Sequence, residues 1–255
     1  MTETKQLRVR GIYLLPNLFT VGAMFAGFCA IVAAMKSRYE AAAIAIFIAF
    51  IMDGLDGRIA RLLHAQSEFG AQLDSLSDMI SFGISPALVV YSWSLVIMGK
   101  SGWLATFIYV ACTALRLARF NVQAKKIDQS YFQGLPTPPA AAFIASVVWV
   151  CNGYDLVGET IALPMTIVVM LLGLLKVSTI RYRSFKNINL HNRVPFVVIL
   201  GIVLILALIA FDPPDILLIL SFFYVISGPI ETLCSLHRRR QQKKKLKASK
   251  YHPRP

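Results

Sequence analysis

Asp53-Gly54-Leu55-Asp56-Gly57-Arg58-Ile59-Ala60-Arg61, followed at fixed offsets by Gly70, Asp74 and Asp78, decides how this 255-residue chain is read. The chain before it is apolar from about Ala41, and it turns apolar again from Met79. Four aspartates thus sit at the ends of two hydrophobic segments. A charge at mid-bilayer costs about 2.5–3.5 kcal/mol on insertion scales, and four such groups need partners even near the interface. Asp53 and Asp56 are three residues apart, so a helix presents both on one face. Asp74 and Asp78, four apart at the start of the next segment, also share a face. The polar link from Leu63 to Gly70 lets the two helices fold back, so that the four carboxylates converge.

Spacing alone leaves three uses for such a cluster. The aspartates can pair with Arg58 and Arg61 in a solvated hairpin. They can line a path for ions or protons. They can also hold a divalent cation, since hard oxygen ligands suit magnesium or manganese. Gly54, Gly57 and Gly70 favour a substrate site, because glycine lets a ligand or a second helix approach the backbone closely.

Outward from this stretch the chain reads as an all-α integral membrane protein. Hydrophobic residues make up 56% and charged residues 15%, with a mean hydropathy of +0.63, and the apolar residues come in long blocks. Soluble domains carry about 25% charged residues. An apolar run of about 20 residues crosses the hydrocarbon as a helix. Eight such spans are predicted, near residues 14–35, 41–63, 79–98, 103–120, 136–154, 161–177, 194–211 and 216–233. Pro16 is expected in the first turn of the first. Tight links at 155–159 and 212–215 predict antiparallel neighbours.

Charge orients the bundle. Lys5, Arg8, Arg10, Arg58, Arg61, Arg116, Arg119, Lys125, Lys126, Lys176, Arg181, Arg183, Lys186 and Arg193 all fall on one side. The other side carries only Lys36, Arg38 and Lys100, with Asp155, Glu159, Asp212 and Asp215. By the positive-inside rule both termini are cytoplasmic, in a multi-pass cell-membrane protein. The organisation expected is a cytoplasmic segment 1–13, a transmembrane domain 14–233 that contains the aspartate stretch 53–78, and a basic cytoplasmic tail 234–255. Nine of the basic residues behind the net charge of +13 lie between Arg238 and Arg254, with no acid among them. Beside the last span that run faces membrane lipid headgroups, and nucleic acid is not expected as a partner. Lys5, Arg8 and Arg10 precede the first apolar run without a small-residue cleavage site, so no cleavable signal is expected. Cys29, Cys112, Cys151 and Cys234 are dispersed in or beside apolar segments, which fits neither a disulfide framework nor a zinc site.

The aspartate stretch resembles, at all eight specified positions, the signature of the CDP-alcohol phosphatidyltransferases: Asp53, Asp56, Gly57, Ala60, Arg61, Gly70, Asp74 and Asp78. The resemblance implies an enzyme that displaces CMP from a CDP-linked lipid with an alcohol, using Mg2+ or Mn2+ and no ATP. It also implies that Asp53, Asp56 and Asp74 hold metal, that Asp78 shares the metal and acts as the base, and that Gly57, Ala60, Arg61 and Gly70 line the nucleotide site. Three further stretches are similar to the membrane-embedded, serine-accepting branch of this family: Leu15-Pro16-Asn17-Leu18-Phe19-Thr20, Ala114 to Asn121, and Phe132 to Ala140. That similarity implies CDP-diacylglycerol and L-serine as substrates, phosphatidylserine as product, a homodimer, and eight helices around a six-helix core. It also brings Asn17 and Thr20 to the nucleotide, where as residues they equally suit capping and packing. Arg116 and Arg119 go to phosphate or the serine carboxylate, the alternative being positive-inside anchors. Glycerol 3-phosphate, inositol phosphate or choline is the alternative acceptor, and a cation transporter is the alternative from another class. His64, His191, His237 and His252 have no metal spacing and receive no chemistry.

Overall fold

In the computed structural model, residues 3–123, 131–183 and 196–251 are described. Lys125, Lys126, Lys186, His191, Arg193, His252 and Arg254, used or considered above, lie outside them. The described chain is almost entirely helical: α1 (Glu3–Met35), α2 (Tyr39–Leu62), α3 (Glu68–Asp78), α4 (Ser85–Trp93), α5 (Lys100–Gln123), α6 (Thr137–Gly153), α7 (Ala162–Val177), α8 (Phe196–Phe211) and α9 (Pro213–Tyr251). A π-helical turn, Met79–Ile84, joins α3 to α4 so that Glu68–Trp93 runs as one continuous rod. The exception to helix is a pair of three-residue strands, β1 (Tyr131–Gln133) and β2 (Arg181–Arg183), antiparallel with Phe132 opposite Tyr182.

Five stretches among the described residues are long and apolar enough to cross a membrane: Leu14–Met35, Glu68–Trp93, Lys100–Val122, Gly158–Val177 and Pro213–Thr232. Eight were expected, and the other three fall short for stated reasons. Helix α2 has 24 residues but carries Glu40, Asp53, Asp56, Arg58 and Arg61. Helix α6 has 17 residues, and α8 has 16 among the described residues. The third span was expected from Met79, yet its helix begins at Glu68 behind a Ser67 cap whose hydroxyl accepts from Gly70 N–H at 3.0 Å. Asp74 and Asp78 therefore lie inside that rod rather than at its start. Pro16 is likewise interior to α1 rather than in its first turn. Helix α9 continues as helix well past the expected end of the span at 233.

Small residues set the packing around the site. Helices α1 and α2 pack along their length, with Ala23, Ala26, Ala30 and Ala34 buried on one and Ala42, Ala43 and Ala49 on the other. Such surfaces let helix backbones approach closely in a lipid setting. Serines on the α3–α4 rod bond to α1 backbone carbonyls. Ser77 donates to Thr20 O (2.9 Å), Ser81 to Ala23 O (3.0 Å) and Ser92 to Ala34 O (3.4 Å). Leu14, Leu18, Phe25 and Phe28 point outward from α1, as a lipid-facing surface requires.

The strand pair packs against α9. Gly134 follows β1 at φ +79°, and a Cβ there would run into the Lys176 carbonyl. Its N–H donates to Ile180 O (2.8 Å), and Leu135 N–H donates to Leu175 O (3.0 Å). Glycine is required at this position both for the left-handed backbone and for the contact. The Tyr182 ring lies over Gly228 of α9, where no Cβ fits, and its hydroxyl donates to Val225 O at 3.1 Å. Burial pushes this phenol up to about 12, which keeps it a neutral donor.

Candidate metal and nucleotide site

The predicted hairpin forms. Carboxylate oxygens of Asp53 and Asp56 on α2 and of Asp74 on α3 all lie within 4.8 Å of one another, with Asp56 buried and the other two half-buried. Asp56 is held from α1, for Thr20 donates its hydroxyl to Oδ2 at 2.7 Å. Asp78, one helical turn past Asp74, adjoins both Asp53 and Asp74 and feels the charge of Arg116. Its Oδ1 is buried and has no hydrogen-bond partner in the protein. Buried polar atoms are nearly always satisfied, so this oxygen marks a place for a ligand or a proton. Three convergent carboxylates with this fourth oxygen beside them fit a hard divalent cation.

The glycines of the signature behave as a substrate site requires. A Cβ on Gly54 would meet nothing within 4 Å, and one on Gly57 would meet only Arg61 Nη1 at 3.8 Å. The surface between the aspartates and Arg61 is therefore open. Gly70 is tighter, with Ser67 Oγ 3.1 Å and Asn17 Oδ1 3.3 Å from the same test position. Asn17 and Thr20 thus both reach the signature, one at Gly70 and one at Asp56. Ala60 is half-buried and Arg61 exposed in the last turns of α2. His64 is exposed in the turn after α2, at φ +49°.

Arg116 and Arg119, a matched pair in the sequence, do different things. Arg116 is buried, donates Nη1–H to Thr137 Oγ1 on α6 at 2.8 Å and leaves Nε–H without a protein acceptor near Asp78. Arg119 donates to three carbonyls, Gln133 O (2.9 Å), Val177 O (3.1 Å) and Lys176 O (3.4 Å). Its guanidinium caps the end of α7 and ties β1 to it. Of the pair, Arg116 is the one aimed at the aspartates.

Residues 13–230 match the family of CDP-alcohol phosphatidyltransferases. The chain belongs to that family. Proteins named CDP-diacylglycerol–serine O-phosphatidyltransferase are among its relatives. That of Helicobacter pylori is 36% identical over 226 residues, covering 88% of this chain and 93% of the relative. That of Methanocaldococcus jannaschii is 33% identical over 186 residues, covering 73% and 81%. That of Bacillus subtilis is 30% identical over 180 residues, covering 70% and 94%.

Residues to which the sequence pattern gave no individual role also stand near the site. Thr137 holds Arg116 from α6, and Tyr224 of α9 lies in the electrostatic neighbourhood of Arg116. Ser75 of α3 hydrogen-bonds Asn121 of α5 side chain to side chain at 3.0 Å. Lys176 was expected among the cytoplasmic surface cations. Instead it is 0% exposed, with Nζ donating to Thr113 Oγ1 at 2.7 Å. Its place next to an apolar span gave no signal for the inward turn.

Proposed function

We propose that the protein transfers the phosphatidyl group of CDP-diacylglycerol to the hydroxyl of L-serine, giving phosphatidylserine and CMP. The observation that carries this reading is the convergence of Asp53, Asp56 and Asp74 beside the unpartnered Asp78 Oδ1. The names of the relatives support serine as the acceptor, as does a buried arginine with a spare N–H.

In this reading Asp53, Asp56 and Asp74 hold Mg2+ or Mn2+ with Asp78 at the edge of the site. A bound cation supplies positive charge that lowers the cost of spreading negative charge over the diphosphate. The open faces of Gly54 and Gly57 receive the nucleotide, with Ala60, Arg61, Gly70, Asn17 and Thr20 around it. Asp78 takes the serine hydroxyl proton at Oδ1. The serine oxygen bonds to the phosphatidyl phosphorus, the phosphoanhydride bond breaks, and CMP leaves with the electron pair. Arg116 Nε–H meets the serine carboxylate, a charge-assisted contact that a neutral alcohol cannot make.

The same reading counts α2, α6 and α8 as crossings beside the five apolar stretches, which makes eight spans with both termini cytoplasmic, and takes the domain limits 1–13, 14–233 and 234–255 and a homodimer. Reporter fusions after Glu159 and Asp212 are then extracytoplasmic, and an extracytoplasmic tail would break the arrangement. The functional test is CMP release from CDP-diacylglycerol with a panel of alcohols, with and without divalent metal. Metal-dependent release with serine is expected. Release with glycerol 3-phosphate, inositol phosphate or choline but not serine would move the acceptor. Metal flux in proteoliposomes without CMP release would return the aspartates to transport.

A further inference from the structure

Lys176 stands at the last turn of α7, where a flexible four-carbon stem ordinarily carries the ammonium out to water. Here the side chain turns into the bundle. Nζ lies 3.4 Å from the centroid of the Tyr109 ring, donates to Thr113 Oγ1 and is fully buried. A buried ammonium is costly, and a ring face with one hydroxyl offsets only part of that cost. The contacts of these two residues show what the arrangement does. The Tyr109 hydroxyl donates to Phe82 O at 3.1 Å. The Thr113 side chain abuts Gly83, where an added Cβ would lie 3.1 Å from Thr113 Cγ2. Phe82 and Gly83 belong to the π-helical turn that begins immediately after Asp78. The α-helical donor to Phe82 O would be residue 86, which is a proline without an N–H, so this carbonyl takes its partner from outside the rod.

We propose that Lys176 is a positioning residue for the transferase reaction. It fixes Tyr109 and Thr113 against the π-helical turn, and the turn fixes the direction in which Asp78 presents its carboxylate. Lys176 touches neither substrate nor metal. The inference rests on the proposed reaction for its kinetic readout alone, because the turn itself can be followed without substrate.

The test compares full-length wild type, Lys176→Met, Lys176→Arg, Tyr109→Phe and the double variant Lys176→Met/Tyr109→Phe in detergent. Hydrogen–deuterium exchange across Met79–Ser85 reads the turn directly. Methionine keeps the stem without the charge, and proteins often tolerate replacement of buried charge by apolar groups. Lys176→Met is therefore expected to fold with a Tm near wild type while exchange in the turn rises. Its kcat is expected to fall roughly 10- to 100-fold, the scale of a misplaced catalytic group, with KM for CDP-diacylglycerol unchanged. Lys176→Arg, which can still stack a cation on the ring, regains part of kcat. Tyr109→Phe reproduces part of the loss, and the two losses are not additive because one chain of contacts carries both. Unchanged exchange in both Lys176→Met and Tyr109→Phe overturns the proposal, as does Lys176→Met with wild-type kcat. If wild type itself releases no CMP, the functional reading fails, and the exchange result alone decides the role of Lys176.

Discussion

The hairpin of α2 and α3 and the joint where α5 and α7 meet the strand pair are both rich in charge, yet they treat it in opposite ways. In the hairpin, three acids crowd within 4.8 Å, Asp78 Oδ1 has no partner, and Gly54 and Gly57 leave open space. In the joint, Arg119 is committed to three carbonyls, Lys176 to a ring and a hydroxyl, and Gly134 is pressed against backbone. One region keeps a buried carboxylate oxygen and two glycine faces open; the other commits its charged groups to the protein. The difference separates groups that await a ligand from groups that hold the helices in place, although both look alike as charged residues beside apolar runs.

Aspartate variants test the first half of that contrast and have the largest expected effect. Asp56→Ala and Asp74→Ala each remove a carboxylate from the convergent set, so both Mn2+ binding and turnover should collapse. Asp78→Asn keeps the shape but cannot accept a proton. It should bind CDP-diacylglycerol while losing roughly 10²–10⁴-fold in rate. Near wild-type turnover by Asp78→Asn would remove it as the base. Mn2+ titration and initial rates on the same preparations separate these outcomes.

The arginine pair comes next. Arg116→Ala should lower kcat/KM for serine by about 10²-fold, the scale of losing one fixed donor at a charged centre. Arg119→Ala should act on the fold instead, at about 1.5–3 kcal/mol for hydrogen bonds made by a charged group, seen as a lower Tm with serine KM retained. If the two variants showed the same profile, the division between open and committed charge would fail.

The glycines give the smallest and finest test. Gly134→Ala places a side chain at positive φ and against a carbonyl, which should cost at least about 1–2 kcal/mol of stability. Gly57→Ala has room in the protein and should keep its Tm while raising KM for CDP-diacylglycerol. A stability loss at Gly57 equal to that at Gly134 would show that its open face is not reserved for substrate.

Sequence spacing exposed the hairpin because helical periodicity puts Asp53 with Asp56 and Asp74 with Asp78, whatever surrounds them. It also located α6 and α7 to within a residue or so, since Pro136, Tyr154 and Val177 bound compact apolar runs. It misplaced the start of the third rod because Glu68–Asp78 is polar, and only the fold shows that its polar face turns toward a site rather than water. The inward turn of Lys176 was illegible for a related reason: a basic residue at the end of an apolar helix satisfies the positive-inside rule whether it points out or in. Arg119 and Arg116 share spacing and chemistry, and only their acceptors, on distant elements, tell them apart.

The serine-to-carbonyl bonds between α1 and the α3–α4 rod carry a consequence for biogenesis. The carbonyls of Thr20, Ala23 and Ala34 receive these hydroxyls from Ser77, Ser81 and Ser92. A nascent chain leaving the insertion machinery can therefore close the α1–α2 hairpin on its alanines and the Thr20–Asp56 bond. It cannot lock α1 in place until the segment through Ser92 has been synthesised. The Thr20 backbone behind that bond is thus secured late, and the acidic pocket takes its shape only once three successive hydrophobic segments have met.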